Sequence, residues 1–189
     1  MLEAAIALVS LFLGVFLDQV AIAHHDRRKR KRQREAVRKL LAFEIDGNLD
    51  KVHAFWSVVE GQGPDKDRPT PELAMAWRIS ATELPQMSRE VYESQLGALP
   101  GALADSELER TFRCYTLAGT IANVKRAATQ ADAEQRRARD EATNSTQAAG
   151  LGRVPPYVPR SPLSEQASRL SRAMTEAVTE LLDIGNPIQ

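Results

Sequence analysis

The N-terminal segment constrains the architecture most, because it is apolar and free of charge over fourteen consecutive positions. Residues 4–17 read AAIALVSLFLGVFL, and after Asp18 and Gln19 the apolar character resumes as VAIA up to Ala23. Twenty helical residues reach about 30 Å, the hydrocarbon thickness of a bilayer, whereas fourteen reach only about 21 Å. We therefore predict a transmembrane helix over residues 1–23, with Asp18 at the headgroup edge, where a charge costs far less than at the bilayer centre.

A dense run of cations follows the apolar segment and predicts its orientation. Nine of the twenty-five lysine and arginine residues lie between positions 27 and 39, and the N-terminal side offers only Glu3. A basic flank is retained in the cytoplasm, so we expect a single-pass protein of the plasma (inner) membrane with its N-terminus outside and its body in the cytoplasm. Residues 24–39 then form a basic juxtamembrane segment beside anionic lipid headgroups. The predicted headgroup contacts are Arg27, Arg28, Lys29, Arg30, Lys31, Arg32 and Arg34.

Other interpretations of this region fit less well. Ala21-Ile22-Ala23 matches the small-x-small pattern before a signal-peptide cleavage site, yet no basic region precedes the apolar segment and the cations after it oppose export. A buried helix of a soluble core needs no cationic flank. Nucleic acid is a disfavoured partner, because no aromatic residue interleaves the basic run.

Small residues on one side of the predicted transmembrane helix indicate a further contact within the membrane. Ser10, Gly14 and Asp18 follow one another at four-residue intervals, and Ala7 lies on the same side. Such spacing lets two helices approach closely, and a polar side chain on the shared face prefers a partner to lipid. We therefore expect a homo-oligomer or a membrane-protein partner at this face, although small residues are also common in spans that make no such contact.

Beyond residue 39, periodicity favours a small, mildly acidic, all-α bundle that follows the membrane helix. Residues 40–189 contain 16 basic and 21 acidic side chains. Apolar residues at spacings of three and four predict a helix from about Arg34 to Glu60, which Gly61 ends. Since no Gly or Pro interrupts the basic run, the transmembrane helix can continue into this one. The apolar stripe consists of Leu41, Ile45, Leu49, Val52, Trp56 and Val59.

Caps and helix breakers divide the rest of the chain. Thr70-Pro71-Glu72 starts a short helix that Pro85 ends, and a second short piece begins with Ser88 as its cap. Ser106-x-x-Glu109 is typical of a capping box at the start of a long helix. We expect a bundle body over residues 40–143, a flexible Pro/Gly linker over 144–161, and a C-terminal helix over 162–185 that packs on the bundle and closes at Gly185.

Few residues are candidates for catalysis or metal binding. Asp50 and His53 form half of the carboxylate-x-x-His pattern of di-iron bundles, but the chain has only three histidines and no second pair. Cys114 is a lone cysteine, which is more typical of a buried structural thiol than of a nucleophile. Without a phosphate loop, a cysteine pair or a nucleophile elbow, we expect no cofactor or metal. The polar residues expected to face solvent or the adjoining helix are Glu44, Asp46 and Asn48.

These features favour a non-enzymatic, membrane-anchored helical scaffold or adaptor that binds a protein partner at the cytoplasmic face. The apolar segment, the basic run and the helix LLAFEIDGNLDKVHAFW together resemble, in style over the first sixty residues, small bacterial membrane-anchored helical proteins, and this implies no catalytic residue. Two alternatives stay open. One is a metal-binding or enzymatic bundle that uses Asp50, His53 and Cys114, and the other is a membrane-acting effector that oligomerises through the small-residue face.

Overall fold

Six helices make up the described part of the chain. The computed structural model describes the backbone of residues 2–61, 70–148 and 161–188, with side chains in those ranges except at 2–18, 21, 145–148 and 161–164. All regular structure in these ranges is α-helical, which confirms the all-α prediction. The helices are α1 (Leu2–Gly61), α2 (Pro71–Ala81), α3 (Glu90–Gln95), α4 (Leu99–Ala102), α5 (Asp105–Ala148) and α6 (Ser161–Ile184).

The first helix, α1, is continuous over 60 residues and joins the N-terminal segment to the core. Its described side chains from residue 19 to residue 36 are all exposed, and Val37 is the first buried one. At 1.5 Å per residue, these eighteen residues extend about 27 Å beyond the bundle. We call residues 19–36 the arm. α1 is therefore a projecting arm over one part of its length and a wall of the core over another.

The predicted membrane span falls largely on positions whose side chains are not described. Among the described residues, no helix combines the length and the apolar character needed to cross a membrane. Of the segment 1–23, only Gln19, Val20, Ile22 and Ala23 have described side chains. The prediction of a transmembrane helix, and that of its contact face at Ala7, Ser10, Gly14 and Asp18, therefore lie outside the described side chains.

The core has two adjoining clusters, both built on the predicted apolar stripe of α1. The first joins the C-terminal part of α1 to α2, α5 and α6, and the second joins its middle to α3, α4 and the C-terminal tail. Every stripe residue is buried except Leu49, which is half-buried. Fully burying one such aliphatic side chain contributes about 1.5–3 kcal/mol, so the stripe is a main source of stability. The largest side chains with no more than 2% exposure in the two clusters are Leu41, Phe55, Ile79, Leu99, Ile121 and Met174.

The start of α2 confirms one predicted cap, whereas the start of α5 corrects another. Thr70 Oγ1 accepts the Leu73 N–H at 3.3 Å, and Pro71 occupies the first turn of α2, where a missing N–H costs nothing. α5 begins at Asp105, so Ser106 lies inside the helix and the predicted Ser106/Glu109 capping box is wrong. Glu107 instead reaches back and accepts the Ala104 N–H at 2.9 Å.

The C-terminal region folds back onto α1. α5 continues to Ala148, past the predicted start of the linker at 144, and residues 149–160 of that linker lie outside the described ranges. α6 packs against α2 and α5 and ends at Ile184, where Gly185 adopts a φ of 60°. This left-handed turn is easily adopted only by glycine. It directs Asn186 and Ile188 back toward the middle of α1.

Candidate functional site

The cations predicted to contact lipid headgroups lie on the arm of α1. All seven of them, Arg27 to Arg32 and Arg34, are exposed. Lys31 Nζ approaches Glu35 Oε1 at 3.9 Å across one turn, in a pair so exposed that it contributes little. The arm thus presents a dense positive charge to whatever surrounds it. Contact with lipid headgroups stays a prediction.

The three residues considered for catalysis or metal binding do not share an environment. Asp50 and His53 are exposed on α1, whereas Cys114 is buried and lines a small apolar cavity with Ile45 and Leu181. Cys114 Sγ lies 3.8 Å from the Gly185 carbonyl oxygen, as a weak donor. Burial raises the pKa of the Cys114 thiol to about 11, so at neutral pH it is a thiol and not the reactive thiolate. Within the described residues, no group of three His, Cys, Asp or Glu side chains is placed to hold a metal ion.

The hydrogen-bond network around the Glu44 carboxylate is the feature that sequence reasoning missed. Glu44 was expected to face solvent or the adjoining helix, and the second alternative agrees with the structure, because Glu44 is only 7% exposed and contacts α3 and α5. Its carboxylate accepts hydrogen bonds from Ser88 Oγ at 2.8 Å, from the Val91 N–H at 2.8 Å, from the Tyr92 N–H at 3.2 Å and from the Tyr115 hydroxyl. Because Val91 and Tyr92 are in the first turn of α3, a side chain of α1 satisfies the N–H groups that this short helix leaves open.

Hydrogen bonding outweighs burial in setting the charge of this carboxylate. Burial alone would raise the pKa of Glu44, but the bonds from Tyr115, Val91, Ser88 and Tyr92 hold the pKa below its ordinary value. Burial and the Glu44 carboxylate together raise the pKa of Tyr115, which therefore stays a hydrogen-bond donor. The Tyr115 ring also stacks on Tyr92, with ring centres 4.0 Å apart. Glu44 is accordingly an ionised and fully partnered group inside the bundle.

Asn48, one turn further along α1, fixes the loop that leads into α3. Its amide nitrogen donates to the Ser88 carbonyl oxygen at 2.7 Å, and its amide oxygen accepts the Ser88 N–H at 2.8 Å. Lys51 Nζ adds a bond to the Gln86 carbonyl oxygen at 2.7 Å. Glu44 and Asn48 are four residues apart and interleave with the apolar stripe at Leu41 and Ile45, which is the sequence pattern that could have revealed their burial.

The anchored loop and α5 form the two sides of an open cationic cleft of about 460 Å³. Of the eleven described residues that line it, three are basic and none is acidic. Its cations are Arg89 from the loop and Lys125 and Arg126 from α5, and we refer to this space as the cationic cleft. Leu84, Pro85, Met87 and Ala122 provide apolar surface in its walls. This volume lies within the range of about 300–1,000 Å³ usual for small-molecule sites.

Local contacts hold two of the three cations in place. Arg89 Nη2 donates to the Tyr115 carbonyl oxygen at 2.9 Å. A Cβ atom at Gly119 would lie only 2.6 Å from Arg89 Nη2. Gly119 therefore makes room for the guanidinium against α5. Lys125 Nζ donates to the Ser80 carbonyl oxygen at 2.5 Å and to Thr129 Oγ1 at 3.2 Å. Burial lowers the pKa of Lys125, and Asp132 opposes that shift.

The comparisons with known proteins assign no family to this architecture. No protein-family model matches the chain, and no curated protein or solved structure matches it.

Proposed function

We propose that this protein is a single-pass, membrane-anchored helical adaptor of the bacterial inner membrane, with its N-terminus outside and its bundle in the cytoplasm. The observation that carries the proposal is the continuity of α1, one helix of 60 residues that begins in the apolar segment and ends as a wall of the core. Because no loop separates these parts, whatever holds residues 1–23 also holds the bundle.

The charge distribution along α1 supports the membrane part of the proposal. An uncharged stretch of fourteen residues precedes an exposed run in which seven of the eight residues 27–34 are basic. Each Lys or Arg near an anionic leaflet contributes about 1 kcal/mol to the attraction between the helix and the membrane. The excess of Lys and Arg on one side of an apolar segment also favours the orientation that keeps this side in the cytoplasm. The body that follows is mildly acidic, so the positive charge is concentrated where the headgroups would be.

Exposed apolar side chains on α1 support the binding of a protein partner. Phe43 is 81% exposed and Leu40 is 53% exposed, and their spacing of three residues puts them on one side of α1. Large apolar side chains that share an exposed face are characteristic of interaction surfaces. This pair lies just beyond the arm, where a partner would meet the bundle and the basic run together.

Extraction at alkaline pH tests the anchor. Membranes from cells that express the full chain, or a chain that lacks residues 1–23, are washed with carbonate and separated into pellet and supernatant. The full chain is expected in the pellet and the shortened chain in the supernatant, because only the former carries residues 1–23, the segment proposed as the anchor. Release of the full chain by carbonate would refute the anchor.

The single cysteine makes orientation easy to test. In a Cys114→Ala background, one new cysteine is introduced as Leu2→Cys or, in the exposed part of α5, as Asn144→Cys. A membrane-impermeant maleimide applied to intact spheroplasts is expected to label the first variant, and to label the second only after permeabilisation. The reverse pattern would show that the chain has the opposite orientation.

Site-specific photo-crosslinking tests the partner surface. A photoreactive amino acid at position 43 is expected to capture a defined adduct in the membrane fraction, and the same amino acid at Val58, which is 50% exposed at the other end of the bundle wall, serves as the matched control. Leu40→Ser combined with the probe at 43 should abolish the adduct. Equal adducts from positions 43 and 58 would contradict the proposed surface.

A further inference from the structure

Two of the three cations of the cationic cleft, Arg89 and Arg126, form no ion pair with a described carboxylate. Arg89 makes one bond, to the Tyr115 carbonyl oxygen, and Arg126 makes one long contact of 3.4 Å to Asn123 Oδ1. No described carboxylate forms an ion pair with either arginine, and none lines the cleft. Three basic side chains thus line one concave space, and within the described residues the exposed Arg89 and Arg126 each donate to a single acceptor. Such a field attracts and concentrates anions.

From this convergence we propose that the cationic cleft binds a small organic phosphate that carries two or more negative charges. The inference goes beyond the adaptor function and does not depend on the membrane anchor. Two planar guanidinium groups and one ammonium group provide the forked donors and the point charge that phosphate oxygens accept best. The apolar wall at Leu84, Met87 and Ala122 suits the organic portion of such a ligand.

The cleft is built in advance of any ligand. Asn48 holds Ser88 through two hydrogen bonds, Lys51 holds Gln86, and the Glu44 carboxylate fixes the start of α3 directly after Arg89. The opposite wall is the rigid middle of α5, where Gly119 lets the Arg89 guanidinium approach the backbone. Arg89 and Lys125 are already held by hydrogen bonds and lose little freedom on binding, which favours affinity.

The concave shape favours a small ligand over an acidic protein surface. An open cleft of about 460 Å³ has room for a phosphate and an organic group of moderate size, whereas a protein partner needs an interface of about 800 Å² on each side. The exposed pair Leu40 and Phe43 lies on α1, which contributes none of the residues that line the cleft. The two surfaces are therefore separate, and an acidic peptide in the cleft becomes an outcome of the test.

Calorimetric titration of the full chain in neutral detergent with inorganic pyrophosphate tests the proposal. We expect saturable binding with one site per chain that weakens as the salt concentration rises. Arg126→Gln should weaken it at least about tenfold, because this arginine makes one long contact and its loss leaves the fold intact. Arg137→Gln, on the exposed end of the same helix, is the matched control and should bind as the natural chain does.

A second variant keeps the test independent of folding. Gly119→Ala retains all three charges but places a methyl group where the Arg89 guanidinium lies, so we expect weaker binding with an unchanged far-UV circular dichroism spectrum. Pyrophosphate binding that does not saturate, or equal losses in Arg126→Gln and Arg137→Gln, would overturn the proposal. Binding of a polyglutamate peptide that depends on Arg126, without binding of pyrophosphate, would also overturn it in favour of an acidic protein segment.

The source of the phosphate is decided by repeating the titration in nanodiscs that contain phosphatidate. If the cleft takes a lipid headgroup, phosphatidate competes and the pyrophosphate affinity falls at least about tenfold relative to phosphatidylcholine nanodiscs. If the cleft takes a free phosphate compound, the affinity is the same in both. Either result supports a phosphate site and names where its ligand resides.

Discussion

The Glu44 side chain connects three parts of the molecule that are distant in sequence. It is a residue of α1 that accepts hydrogen bonds from the loop at Ser88, from the first turn of α3 and from Tyr115 on α5. A buried ionised group is stabilising only when its acceptors are filled, because removing one partner leaves an uncompensated charge or dipole. The consequences of changing Glu44 are therefore larger than those of an average polar substitution.

Replacing Glu44 with glutamine should lower the free energy of unfolding by about 2–3 kcal/mol, since an amide nitrogen would face N–H and O–H donors. The measurement is urea denaturation of the full chain, followed by the fluorescence of Trp56 and Trp77. Glu60→Gln, an exposed change on the same helix, is the control and should shift stability by less than about 0.5 kcal/mol. Equal stabilities of the two variants would contradict the role assigned to Glu44.

Acid should destabilise the bundle through this same carboxylate. The pKa of Glu44 is lowered in the folded state, so its stabilising contribution is complete above the ordinary value of 4.5 and is lost as the pH falls through the lowered pKa. Glu107, whose pKa is also lowered by Arg38, acts in the same direction. We expect the midpoint urea concentration of the natural chain to decrease once the pH is below about 4.5. The midpoint of Glu44→Gln should decrease less steeply over the same pH range. Equal decreases of the two midpoints with pH would argue against Glu44 as a source of the acid sensitivity.

Thr111 offers a substitution that should stabilise the protein. Its side chain is fully buried in α5, and its hydroxyl oxygen has no hydrogen-bond partner among the described residues. Thr111→Val keeps the shape of the side chain and removes the unsatisfied hydroxyl, so the free energy of unfolding should rise by about 1 kcal/mol. Thr116→Val is the control, because that hydroxyl is exposed and donates to the Phe112 carbonyl oxygen. A destabilised Thr111→Val would mean that the hydroxyl has a partner.

At the residue scale, periodicity predicted the apolar core but not the polar groups within it. Leu41, Ile45, Val52, Trp56 and Val59 are buried because one stripe can face only one way on a helix. The burial of Glu44 and Asn48 depends on hydrogen-bond partners at residues 88–92 and 115, which reach α1 only in the folded chain. Patterns within one helix do not contain those partners, and the average preference of carboxylates for solvent points the other way.

Among the elements, the N-terminus of α5 has an unusual attachment. Glu107 accepts the Ala104 N–H and also forms a two-pronged ion pair with Arg38 of α1, at 2.6 and 2.8 Å. It therefore caps its own helix and ties it to another. A capping interaction and a partly buried bidentate pair both depend on this one carboxylate.

Replacing Glu107 with alanine should lower the free energy of unfolding by about 1–2 kcal/mol, since both the cap and the ion pair are lost. Glu109→Ala is the matched control two residues away, because Glu109 is exposed and is not the capping residue. Urea denaturation of both variants measures the difference. A larger loss for Glu109→Ala would restore the capping box that the sequence alone predicts.

Element types were predictable because helix breakers are local, whereas the choice of capping side chain was not. Thr70 and Pro71 start α2 as expected, since both act within one turn. At α5 two acidic residues, Glu107 and Glu109, compete for the role, and Arg38 from α1 favours Glu107. The continuation of α5 to Ala148 likewise follows from a run without Gly or Pro, even though the side chains of residues 136–142 are exposed.

On the scale of the whole molecule, the C-terminal tail closes the fold. Asn186 Nδ2 donates to the Ala42 carbonyl oxygen at 3.1 Å and to Asp46 Oδ1 at 2.8 Å, and Ile188 is buried in the cluster with Val37 and Leu41. The last residues of the chain thus cover the place where the arm enters the core. The sequence predicts the turn at Gly185 but not its destination, because nothing after a helix end specifies which surface the tail will meet.

Ile188→Ala should lower the free energy of unfolding by about 2 kcal/mol, because it leaves a cavity between the tail and α1. Ile188→Val, which removes a single methylene, should cost less than about 1 kcal/mol and provides the graded control. Thermal unfolding followed by circular dichroism measures both. Identical transitions in the two variants would show that the tail does not contribute to the core.

The continuity of α1 links the length of the arm to the orientation of the bundle around the helix axis. Because no hinge lies between the arm and the core, deleting one residue from the arm would turn the bundle by about 100° around the helix axis and shorten the arm by about 1.5 Å. Deleting seven would shorten it by about 10 Å yet return the bundle to within about 20° of its original bearing. The number of residues in the arm therefore sets the direction, around the axis of α1, in which Phe43 and the cationic cleft face.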